Sequence, residues 1–100
     1  MPPEIKKKYP ALETLFKKYE VEEAFLFGSA TTKEIVNCND IDFLYSFSSD
    51  LSFDRYASNY YKLEVELTKL LNKKVDLVAK KTLKNPYFIE NINKSKIKII

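Results

Sequence analysis

A chain of 100 residues with 45% hydrophobic side chains, seven Phe and seven Tyr among them, has the material for one core and no room for a second domain. A single domain over residues 1–100 is therefore expected, and global disorder is excluded. One cysteine (Cys38) and no histidine rule out an intrachain disulfide framework, Cys/His zinc sites and Ser-His or Cys-His catalysis, so any metal would be a hard ion held by carboxylates; the net charge of +3 is spread along the chain on lysines, with Arg55 the only arginine, which indicates a solvated surface rather than nucleic-acid readout.

The N-terminus, Met1-Pro2-Pro3-Glu4, has no signal-peptide core, and no apolar run approaches the length of a membrane span, so a cytoplasmic protein is expected. Leu12, Leu15, Phe16 and Tyr19 recur at three- and four-residue steps and predict a helix over about Ile5–Tyr19. Val21–Phe27 reads as a strand. Gly28-Ser29 breaks it, and Ala30–Val36 reads as a short helix capped by Ser29, followed by a turn at Asn37-Cys38-Asn39. Ile41–Phe47 is a second strand and Ser48–Ser52 a loop. Tyr56, Tyr60, Leu63, Leu67, Leu70 and Leu71 then mark the clearest helix, about Phe53–Asn72. A third strand runs over Val75–Ala79. Asn85-Pro86 starts a last helix with Phe88, Ile89 and Ile92 inward, and Ile97–Ile100 is a final short strand or extended tail. This alternation predicts an α/β (α+β) fold, a small mixed β-sheet packed with helices, with strands two and three parallel across the long helix.

Three features carry the chemistry. Gly28-Ser29 lies at a strand-to-helix bend, where glycine permits close approach of backbone to a ligand and outward amides favour an anion. In Asp40-Ile41-Asp42 the strand alternation puts both carboxylates on one face; they repel each other unless a cation neutralises them, and magnesium suits carboxylates combined with phosphates. Asp76 is a lone acid among apolar neighbours. If strands two and three are parallel and strand one antiparallel to strand two, all three features meet at one end of the sheet. Each feature also has a plainer explanation: a common Ser cap, a solvated strand end, an exposed sheet edge. The lysines flanking the third strand (Lys73, Lys74, Lys80, Lys81 and Lys84) read as a solvated rim, Tyr56 and Tyr60 as core, and Cys38 as a small turn residue.

Gly28-Ser29, ten further residues and Asp40-Ile41-Asp42 together resemble the Gly-Ser…Asp-x-Asp signature of the DNA polymerase beta nucleotidyltransferase superfamily. From about Leu12 to Ile100 the chain is similar to its minimal stand-alone prokaryotic members, the MNT antitoxin type, and Lys73–Val78 resembles the segment bearing that family's third acid. The resemblance implies the nucleotidyltransferase fold and transfer of AMP from ATP to a hydroxyl, with pyrophosphate released. It implies two Mg2+ ions held by Asp40 and Asp42, with Asp76 completing the site of the ion that activates the acceptor and helping to take its proton. Gly28 and Ser29 would bind the terminal phosphates. It further implies an antitoxin role, the acceptor being a tyrosine on a partner HEPN-domain toxin. The acceptor surface would come from that partner or from a second copy.

The chain departs from the family pattern just after Gly-Ser, where relatives carry basic residues and a second glycine. Here the segment is Ala30-Thr31-Thr32-Lys33, which leaves Thr31, Thr32 and Lys33 to serve the phosphates, with Lys33 the natural charge. The main alternative is a binding module of the same fold that neutralises its partner by contact. A small nucleic-acid-binding domain has only the net charge behind it.

Overall fold

The computed structural model describes residues 2–100. Helix α1 (Pro3–Lys18) starts with proline in its first turn and carries Glu4 there and Lys17 and Lys18 in its last, charges that match the helix dipole. Its buried side chains, Ile5, Leu12 and Phe16, form one stripe. Glu20, at φ +65°, turns the chain into β1 (Val21–Phe27). Strand β2 (Asp40–Phe47), helix α2 (Phe53–Leu71), strand β3 (Lys74–Ala79), helix α3 (Pro86–Ser95) and the two-residue β4 (Ile97–Lys98) follow. Ser52 caps α2 by accepting from the Arg55 amide, and Asn72 ends it in the left-handed conformation. The side chain of Asn85 caps α3 through the amides of Tyr87 and Phe88.

The sheet order is β3-β2-β1-β4. Strand β2 runs parallel to β3, as the sequence predicts, and antiparallel to β1, the condition on which the three site features were to meet; β4 is antiparallel to β1. One face packs on α1 and α2: Leu26, Ile41, Phe43 and Leu77 meet Leu12, Phe16, Leu63 and Leu67 in one core, and the Phe16 and Phe43 rings stand edge to face at 5.2 Å. The other face is covered only in part. There Phe25, Phe27 and Leu44 form a smaller cluster with Ile92 of α3.

The segment between β1 and β2 differs from the expected single helix. It forms two short 3-10 turns, Gly28–Thr31 and Ile35–Asn37, and Ser29 does not cap: Phe27 holds the cap position without a side-chain bond. The local bonds explain the interruption. The Ser29 carbonyl accepts from both Thr32 and Lys33 amides, and the Thr31 hydroxyl bonds back to the Gly28 carbonyl at 2.7 Å. Such threonine back-bonding competes with α-helix propagation. Cys38 is buried rather than merely part of a turn, its Sγ directed at the Glu34 carbonyl. Phe88 is 45% exposed, so α3 turns only Ile92 fully inward and leaves Phe88 at the edge of the uncovered face.

Candidate active site

The uncovered half of the sheet holds the three acids. Alternation along β2 sends Ile41 and Phe43 into the main core and Asp40 and Asp42 to the opposite face, where both are half-buried. The parallel register sets Asp42 directly beside Asp76 of β3, and the antiparallel register sets Phe27, the last residue of β1, beside Asp42. One carboxylate oxygen from each of Asp40, Asp42 and Asp76 lies within 4.8 Å of the others. Like charges held this close destabilise one another. Burial first, then the neighbouring Asp40 and Asp76, push the Asp42 carboxyl up from 3.8 to about 6.

Gly28 closes the group from the β1 side. It sits at φ +76°, and a Cβ added to it would stand 2.5 Å from Asp42 Oδ2. Glycine is therefore required twice over, for the left-handed backbone and for the space beside the carboxylate. Gly28→Ala is expected to cost about 1–3 kcal/mol in backbone strain and to swing Asp42 off its position, with a loss on the order of 100-fold in turnover. Denaturant melts and steady-state rates would check both effects.

The cleft above these residues has a volume of about 670 Å3 and is lined by Gly28, Thr31 and Thr32 on one side, by Asp42 and Asp76, and by Phe88, Asn91, Ile92 and Ser95 of α3 on the other. Of the residues singled out from sequence, Asp40, Asp42 and Asp76 are brought together and Gly28 adjoins them. Ser29, half-buried, and Lys33, exposed, lie on the same turn but do not line the cleft. The α3 lining was missed as such. Its signal, Phe88, Asn91, Ile92 and Ser95 at steps of three, four and seven, was present but reads as ordinary helix amphipathicity.

Among the described residues no lysine or arginine forms an ion pair with Asp40, Asp42 or Asp76, and three such converging carboxylates suit an oxygen-loving divalent ion. Because folding holds Asp42 at a raised pKa, its protonated form favours the folded state. The contribution is full below 3.8 and is lost as pH rises through about 6. Metal-free protein is thus expected to melt at a higher temperature at pH 5 than at pH 7 by a margin that vanishes in Asp42→Asn; an equal margin in that variant would assign the effect to other groups.

Carboxylates grouped at the strand ends of an open α/β sheet, beside a glycine bend and an accessible cleft, are the arrangement of a phosphoryl-transfer enzyme. The family model for "Polymerase beta, Nucleotidyltransferase" matches residues 11–100, and the chain belongs to that family: it is a nucleotidyltransferase. It is 36% identical over 83 residues, 83% of this chain and 81% of the other, to "Putative protein adenylyltransferase MJ0128" of Methanocaldococcus jannaschii. The same organism's "Putative protein adenylyltransferase MJ1379" is 36% identical over 80 residues, 80% of this chain and 78% of the other. Among solved structures, one described as "putative minimal nucleotidyltransferase" superposes with a TM-score of 0.72 at 22% identity, covering 93% of this chain and 90% of that one. The MNT antitoxin fold in the complex with the tri-AMPylated HEPN toxin of Shewanella oneidensis superposes with a TM-score of 0.64 at 16% identity, covering 95% and 71%. These two likenesses bear on the fold, an open mixed sheet with three helices. No helix among the described residues is long and apolar enough to cross a membrane.

Proposed function

We propose that this chain transfers AMP from ATP to a side-chain hydroxyl, a tyrosine of a HEPN-type toxin, and thereby silences that partner. The observation that carries the reading is the convergence of three carboxylates beside Gly28, two of them, Asp42 and Asp76, lining an open cleft. The relatives named as protein adenylyltransferases support a protein acceptor, and the antitoxin complex with a tri-AMPylated toxin supports the partner. Asp40 and Asp42 would hold two Mg2+ ions, with Asp76 sharing one of them. When bound, such ions neutralise the triphosphate and stabilise the attacking and leaving oxygens.

The chain's own residues position and polarise. The turn opened by Gly28 and Ser29 receives the terminal phosphates, with Thr32 offering a hydroxyl at the cleft wall, Thr31 holding the turn through its bond to the Gly28 carbonyl, and Lys33 a positive charge farther along. Asp76 helps draw the proton from the acceptor oxygen. That oxygen forms a bond to the α-phosphorus in line with the departing pyrophosphate, and the bond to the β-phosphate bridge oxygen breaks. With only a narrow helical cover over the cleft, the acceptor surface comes from the partner.

Incubation with ATP labelled at the α-phosphate, Mg2+ and a co-expressed HEPN partner tests the reading. Label is expected on a partner tyrosine, and none with ATP labelled at the γ-phosphate. Rescue of a poisoned host by a chain that leaves the partner unlabelled would instead favour the contact-only module of the same fold.

A further inference from the structure

The acids and the 3-10 turn account for one end of the cleft only. The rest of its lining has no use for a triphosphate: Phe27, Val78, Phe88 and Ile92 are apolar, and they offer neither charge nor amide. Phe88 keeps 45% of its surface exposed at the cleft, with its ring edge-on to Phe27 at 6.3 Å. On the same stripe of α3, three and seven residues further, Asn91 and Ser95 line the cleft, and neither side chain makes a hydrogen bond among the described residues. An apolar wall with a few solvent-facing polar side chains free to bond a ligand, in a volume within the roughly 300–1,000 Å3 of small-molecule sites, suits a flat heterocycle.

We propose that the α3 wall is the nucleoside subsite of this enzyme, with the base resting against Phe88 and Asn91 reading its edge. This rests on the phosphate and metal end being where the preceding reading puts it. A triphosphate anchored at Gly28 and the acids leaves its base nowhere else apolar to go within the cleft. A carboxamide presents one acceptor and one donor pair side by side, which matches the N6 amino group and an adjacent ring nitrogen of adenine and mismatches the paired acceptors O6 and N7 of guanine. Ser95, one turn further along α3, adds a hydroxyl within the same wall.

Calorimetric titration of the full chain with ATP, GTP and inorganic tripolyphosphate, each with Mg2+, tests the assignment. Asn91 is exposed and lies inside a helix, so Asn91→Ala keeps the fold. The wild type is expected to prefer ATP to GTP by about tenfold or more, and Asn91→Ala and Asn91→Asp to lose about tenfold in ATP affinity and most of that preference, with tripolyphosphate bound as before. An unchanged ATP-to-GTP ratio in Asn91→Ala overturns the subsite alone, as does an equal loss for tripolyphosphate. A wild type that binds none of the three overturns the nucleotidyl-transfer site itself, and the subsite with it.

Discussion

Asp42→Asn is expected to abolish nucleotidyl transfer while leaving the metal-free protein as stable as the wild type or more so. The two effects have one origin. Asp42 stands beside Asp76 in register and shares the group with Asp40, and in the absence of a cation its charge is held against both burial and like-charge repulsion. A neutral amide of the same shape relieves that repulsion, so thermal stability without metal should hold or rise. The same change removes a carboxylate from the centre that must neutralise a triphosphate. The loss should reach about 1,000-fold or more in kcat/KM, equivalent to about 4 kcal/mol of transition-state stabilisation. Asp40→Asn should behave alike. A variant that loses several degrees of melting temperature along with activity would make these acids structural members of the sheet end.

Leu67→Ala carries the largest expected effect on the fold. Leu67 is fully buried in α2 between Leu63 and Leu71, in the core that joins both long helices to the sheet. Truncation removes its apolar burial and leaves a cavity that close-packed neighbours fill only in part, which costs roughly 2–5 kcal/mol. Against a total of about 5–15 kcal/mol for a domain this size, that is a large share. Urea titration would read it as a lower midpoint at unchanged slope; a loss below about 1 kcal/mol would mean that this stripe of α2 does not face the core.

The strands and the long helix are legible in the sequence because their patterns are distinct: Asp40–Phe47 is a short aromatic and aliphatic run with its acids on alternate positions, and the Leu63, Leu67, Leu71 repeat admits one buried helical face. The parallel pairing of β2 and β3 followed from the helix between them and puts Asp42 and Asp76 at the same end of the sheet; the register that sets them side by side is a property of the folded structure. Two things did not follow. The Ala30–Val36 segment carries too few apolar residues to fix a period, and the Thr31 hydroxyl bonds to the Gly28 carbonyl while the segment divides into 3-10 turns, an outcome decided by local bonding that periodicity does not contain. Nor does the amphipathic pattern of α3 reveal which face of the sheet it covers. Phe88 reads as core in the sequence and stands half-exposed over the cleft, while Ile92 alone of the helix packs fully against Phe25, Phe27 and Leu44. The acids were found because their chemistry is unusual wherever they lie. Asn91 and Ser95 were not, because a polar residue on a helix is ordinary until its surroundings are known.

The central claim is that Asp40, Asp42 and Asp76 together hold divalent ions around a triphosphate. It is tested most directly by titrating the protein with a non-hydrolysable ATP analogue in Mg2+ and again in excess chelator, for the wild type and for each single Asp→Asn variant. The account predicts binding that requires the metal and weakens by about 100-fold or more in Asp42→Asn. Equal affinity with and without the ion, unaffected by any of the three substitutions, would contradict it.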